Sequence, residues 1–222
     1  MPEYRVLITG GSRGIGKAIA KCYSKAGHCV LTPSRNELDL NSIESILNYG
    51  KAGNYEVDVL INNAGKNIIN SISDISVNNW QQTLTVNLTA PFLLVQKISP
   101  YMVQNKWGRI VNISSIYSII SRKGRAAYSA SKAGLNGFTR TAALEYAEEG
   151  ILVNSVCPGF VDTDLTRQNN TQEQLAELTN HVPLRKLGSP DEIANFVYFL
   201  GSEQNQFITG QTIPIDGGFT TG

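Results

Sequence analysis

The chain has 222 residues, 41% of them hydrophobic, enough to bury a sizeable core as one domain over 1–222. Its 19 Lys and Arg are scattered and nearly cancelled by 18 Asp and Glu, which argues against a nucleic-acid footprint and predicts a small, roughly neutral ligand. Cys22, Cys29 and Cys157 form no CxxC pair and His28 and His181 stand far apart, so neither a catalytic thiol nor a metal site is expected; the cysteines read as buried small hydrophobes in a reducing compartment.

A strand pattern starts at Tyr4, with no room before it for a signal peptide, and no apolar run reaches the roughly 18 residues of a membrane span. A soluble, cytoplasmic protein is expected. Residues 4–9 (YRVLIT) form a short branched apolar run, followed by Gly10-Gly-Ser12-Arg13-Gly14-Ile15-Gly16 and a helical stretch. Strand, glycine loop and helix are the context of a dinucleotide-phosphate fingerprint, in which the helix N-terminus receives the pyrophosphate. A second strand over residues 28–33 ends at Ser34-Arg35 rather than at a carboxylate. With Arg13 nearby, two guanidiniums and a hydroxyl suit a 2′-phosphate, so NADP(H) is favoured over NAD(H); Glu37 reverses the preference if the register shifts.

Between Arg35 and Asp39 there is no space for the usual helix. Leu38-Asp39-Leu40 reads as a stub of third strand at the adenosine end of the cofactor site, where Asp39 either contacts the adenine amino group or serves as a helix-entry carboxylate. Asn41-Ser42 then caps a helix running to about Ala52. Residues 57–61 (VDVLI) are a buried strand running into Asn62-Asn63-Ala64-Gly65, small residues that let a cofactor approach the backbone. A long helix over about 79–105 is interrupted at Asn87 and Pro91, and Asn87 is a poor helix former in an apolar run. Residues 108–113 (GRIVNI) form a strand ending in Ser114-Ser115.

The next helix carries Tyr128-Ser-Ala-Ser-Lys132, a phenol and an ammonium sharing one face. An ammonium beside a phenol favours the phenolate, so Tyr128 could exchange a proton with a substrate oxygen near neutral pH; alone, the spacing equally describes a solvated face. A strand over 151–158 leads to Gly159-Phe-Val161-Asp-Thr163, a turn covering the cofactor's other side. The polar, irregular stretch 164–186 reads either as a mobile lid or as a surface insertion. A helix over about 190–201, capped by Ser189, and a strand over 212–215 complete the series. Apolar strands alternating with helices predict an α/β Rossmann fold, a doubly wound parallel sheet with helices on both faces.

In these motifs the chain resembles the short-chain dehydrogenase/reductase family: residues 9–16, 62–65, Asn87, 113–115, 128–132 and Cys157-Pro158-Gly159 stand in the family's order. The resemblance implies that Tyr128 is the general acid/base, that Lys132 lowers its pKa and holds the nicotinamide ribose, that Ser115 rather than Ser114 binds the substrate oxygen, and that Asn87 holds a water relaying protons. It implies hydride transfer between a carbonyl and a secondary alcohol without a metal. Residues 108–111, 158–161 and 210–218 look most like 3-oxoacyl-carrier-protein reductases, implying a small or carrier-linked substrate. Homotetramers or homodimers are the family's common assemblies. Two other functions stay open at this level: an NAD-dependent sugar or polyol dehydrogenase, and a non-catalytic NADP sensor.

Overall fold

The computed structural model describes residues 3–49, 55–168 and 170–221. Six parallel strands form one sheet in the order β2-β1-β3-β4-β5-β6, with β1 at Arg5–Ile8, β2 at Cys29–Leu31, β3 at Val59–Asn62, β4 at Gly108–Ile113, β5 at Ile151–Pro158 and β6 at Thr212–Ile215. The side-chain period of two sends apolar residues to both faces, so both must be covered. Val6, Ile8, Val59, Ile61 and Val111 pack on α1 (Gly14–Lys25) and α8 (Pro190–Leu200). Leu7, Leu60, Ile110 and Val153 pack on the other face against α2 (Ile43–Tyr49), α4 (Ala90–Gln104) and α5 (Ala126–Tyr146).

The chain leaves β1 in one direction for β2, then returns to place β3 on the other side of β1. That reversal opens a crevice at the carboxyl ends of β1 and β3, between the glycine loop and residues 63–65.

The expected third-strand stub is not formed. Glu37 and Leu38 donate their amides to the Ser34 carbonyl at 3.1 and 2.9 Å, making one helical turn. The Asp39 amide then donates to Ser45 Oγ and the Asp39 carboxylate accepts from the Asn41 amide, so this backbone is satisfied locally and β2 is left at the sheet edge. Ser42 accepts from the Ser45 amide at the start of α2, as the capping argument predicts; the projected end at Ala52 lies outside the described residues. The long-helix interruption is a single π turn, Thr85–Thr89, between α3 (Val77–Leu84) and α4. It centres on Asn87, and Pro91, which offers no N–H, follows in the first turn of α4 where the regular ladder is already shifted by the π turn.

The stretch expected to be irregular contains two helices, α6 (Asp164–Gln168) and α7 (Gln172–His181). A reciprocal cap between Thr171 and Gln174 starts α7, a signal present in the sequence as Thr-x-x-Gln. Of the cysteines, Cys157 is buried, but Cys22 is half-buried and Cys29 exposed, because Cys29 starts the edge strand.

Candidate active site

One cavity of about 460 Å³ lies along the carboxyl edge of the sheet. It brings together Gly10, residues 12–16, Asn63, Ala64, Gly65, Ser115, Tyr128, Lys132, Pro158, Gly159, Val161 and Thr163, all singled out from the sequence. Asn87, Ser34, Arg35, Asp39 and Leu40 do not line it.

Gly10 turns at φ +66°, where an L side chain is strained, and a Cβ on Gly16 would overlap the Gly10 carbonyl oxygen. The loop can therefore lie close against Asn63, whose Nδ2 donates to the Thr9 and Gly10 carbonyls at 2.9 and 3.1 Å. Arg13 occupies the N-cap of α1 without a side-chain cap, and no acidic residue stands in the first turn, so the helix N-terminus faces the cavity uncompensated. A Cβ on Gly65 would come within 3.6 Å of Lys132 Nζ and 3.7 Å of Asn87 Oδ1. An uncapped helix end, close-lying glycines and a floor kept clear at Gly65 fit a dinucleotide.

At the end of β2 the arrangement is less open. Glu37 accepts from the Ser34 amide at 2.7 Å, and Arg35, with its side chain 75% exposed, pairs with Asp39 at 3.4 Å. The Asp39 carboxylate also accepts from the Asn41 amide, the arrangement of a helix-entry carboxylate.

On α5, Lys132 is 3% exposed, and its Nζ donates to the Ile113 carbonyl at 2.7 Å while lying 5.9 Å from the centre of the Tyr128 ring. Burial lowers its pKa to about 8. Burial also pushes the Tyr128 phenol up, opposed by a hydrogen bond with Ser115 and by the positive charge of Arg125. The lowering expected from Lys132 is not found: its ammonium is directed to the Ile113 carbonyl, and the cation acting on the phenol is Arg125, which the Tyr–Lys spacing does not reveal. Ser114 donates to the Lys132 carbonyl at 3.3 Å, whereas Ser115 Oγ accepts from the Tyr117 amide and directs its own proton to the Tyr128 phenol.

Asn87 is fully buried; its amide donates to the Lys66 carbonyl and to Ser131 Oγ, both at 2.9 Å, and accepts from the Lys66 amide at 2.7 Å. Ser131 in turn donates to the Tyr128 carbonyl. The π turn that presents Asn87 thereby ties the exit of β3 to the helix of Tyr128. The cavity's remaining walls include Phe160 of the turn expected to cover the cofactor, and Asn67, Tyr117, Arg122, Arg125 and Leu178, which the sequence did not single out by residue. Arg122 and Arg125 were visible as a basic cluster shortly before Tyr128, but nothing local tells a solvated charge from a lining one.

Residues 39–220 match the family model described as enoyl-(acyl carrier protein) reductase. The chain is 40% identical to the 3-oxoacyl-(acyl-carrier-protein) reductase of Aquifex aeolicus, over 96% of this chain and 95% of that one. A solved NADP-bound protein of Beutenbergia cavernae, described as a gluconate 5-dehydrogenase, is 32% identical, with a TM-score of 0.92 over 99% of this chain and 97% of its own. A 4-hydroxyisoleucine dehydrogenase solved with NADH is 31% identical, with a TM-score of 0.93 over 99% of this chain and 100% of its own.

Proposed function

The chain belongs to the short-chain dehydrogenase/reductase family and is an NAD(P)-dependent oxidoreductase; from that premise we propose that it interconverts a carbonyl and a secondary alcohol with NADP(H), in the manner of 3-oxoacyl-carrier-protein reductases. The supporting observation is that Ser115, Tyr128 and Lys132 share one cavity with the N-terminus of α1. The nicotinamide, when bound, supplies or accepts the hydride. Ser115 and Tyr128 each offer a hydroxyl proton to the substrate oxygen, which gains charge as its carbon is reduced, and donors already in place need little reorganisation. Tyr128 gives its proton to that oxygen as general acid and takes it back in the oxidative direction. Ser115 and Arg125 favour the phenolate left behind, and Lys132 binds the nicotinamide ribose. Asn87, whose side-chain amide is engaged with Lys66 and Ser131, ties the Tyr128 helix to the exit of β3, and a relaying water there would have to use its remaining acceptor capacity.

Arg13 and Arg35 support the preference for NADP(H). Arg35 must exchange its pair with Asp39 for the 2′-phosphate, so Arg13 carries more of that recognition, and NAD(H) is the alternative cofactor. Among the described residues no helix is long and apolar enough to cross a membrane, and free cysteines fit the reducing cytoplasm. Homotetramers or homodimers would cover apolar surface on α4, where Phe92 is 43% exposed.

The test is consumption of NADPH and of NADH with an acetoacetyl thioester, for the wild type and Tyr128→Phe. NADPH is expected to support the faster rate, and the variant should lose on the order of 10²- to 10⁴-fold in kcat while still binding NADPH. Full turnover by the variant would overturn the mechanism, and faster turnover with NADH the cofactor assignment.

A further inference from the structure

Net charge predicts a roughly neutral ligand, but the cavity around Tyr128 is locally cationic. Arg125, at the N-cap of α5, is half-buried and makes no side-chain cap. Its Nη1 donates to Asn67 Oδ1 at 2.5 Å, and its guanidinium carbon stands 5.4 Å from the centre of the buried Tyr117 ring. Both partners are neutral. Arg122 lines the same cavity, and among the described residues no carboxylate pairs with either arginine. Asp164, the acidic side chain in the lining, acts on Arg167 of α6 instead.

A guanidinium held in place by an amide and a ring, with donors to spare and no acid beside it, is a preorganised receptor for an anion. We propose that Arg125, assisted by Arg122, anchors a carboxylate of the substrate, so that the preferred substrate is the anion of a short oxo acid or hydroxy acid rather than the neutral acetoacetyl thioester that tests turnover above. The proposal rests on reading this cavity as a carbonyl/alcohol site. A carboxylate meets the guanidinium fork with two parallel hydrogen bonds. A neutral acyl chain would desolvate the same cations without pairing them. The carboxylate is a spectator, with no bond to it formed or broken; it sets which end of the substrate points away from Tyr128.

The experiment compares acetoacetate with ethyl acetoacetate in NADPH-linked reduction by the wild type, Arg125→Gln, Arg125→Lys and Arg122→Gln. The wild type should favour the acid in kcat/KM by on the order of 10-fold or more. Arg125→Gln should erase that ratio, Arg125→Lys should keep part of it, and Arg122→Gln, at an exposed position, should reduce it less. Calorimetry with 3-hydroxybutyrate and its methyl ester, with and without NADP, gives a readout free of turnover: the wild type should bind the acid more tightly and Arg125→Gln should bind both alike. Equal binding of acid and ester by the wild type, or a preference that survives Arg125→Gln, would overturn the anchor. Absence of turnover with every carbonyl compound, alongside selective acid binding, would instead overturn the catalytic reading and leave the anchor standing.

Discussion

Lys132 sets the needs of the site against those of the fold. Its ammonium is almost wholly removed from water, and one carbonyl replaces the lost hydration. The folded pKa, about 8, lies below the unfolded value near 10.5. Between those values the unfolded chain binds more protons than the folded one, so this contribution raises stability as pH rises, and its cost is present in full below pH 8. Lys132→Met removes the group. The unfolding free energy of the wild type relative to that variant should therefore rise by about 2 kcal/mol between pH 7 and 9.5, measured by urea denaturation at a series of pH values. Parallel curves would mean that water reaches the ammonium. At this scale Tyr128 and Lys132 were legible because one helix face sets their relation; the choice of Ser115 over Ser114 came from family spacing, and the structure adds that the Ser114 hydroxyl is engaged with Lys132.

The helix that carries both residues is fixed to the sheet by a buried polar ladder. Asn62 Nδ2 donates to Asn112 Oδ1, Asn112 Nδ2 donates to Thr139 Oγ1, and Ser155 Oγ donates to Thr139 Oγ1, whose own proton goes to the Leu135 carbonyl, at 2.8, 2.8, 2.7 and 2.8 Å. The ladder runs across β3, β4, α5 and β5, joining three strands to one helix. Thr139→Val keeps the shape and removes the central hydroxyl, leaving the Asn112 amide buried without its acceptor. It should lower stability by about 1–3 kcal/mol and reduce kcat more than cofactor binding, because only α5 loses an anchor; thermal denaturation with steady-state kinetics measures both. Unchanged stability would show that apolar packing alone seats α5. The ladder is hidden in the sequence, since its members read as ordinary polar residues until tertiary contact pairs them. Elements bounded by local rules were legible: β4, β5 and β6 match the apolar runs at their ends, and α8 starts after its Ser189 cap.

For the whole molecule, the testable quantity is assembly. Phe92 of α4 meets Phe138 of α5 edge to face, with ring centres 5.8 Å apart, and stays partly in solvent. Sedimentation equilibrium should give a mass that is a multiple of 24.2 kDa, and Phe92→Asp should lower it; a wild-type monomer would refute the assembly. The sequence by itself determined the parallel α/β architecture, the glycine loop and the Tyr–Lys pair, because each depends on backbone preferences and spacings within one or two neighbouring elements. Tertiary structure alone decided that the Ser34–Leu40 backbone coils on itself and leaves β2 at the edge. It alone set Arg125 beside Asn67, 58 residues away in the chain, and so gave a nearly neutral protein a cationic pocket. The physical reason is that net charge is a sum over residues, whereas the field in a cavity depends on which few charges line it and on whether an opposite charge stands within reach.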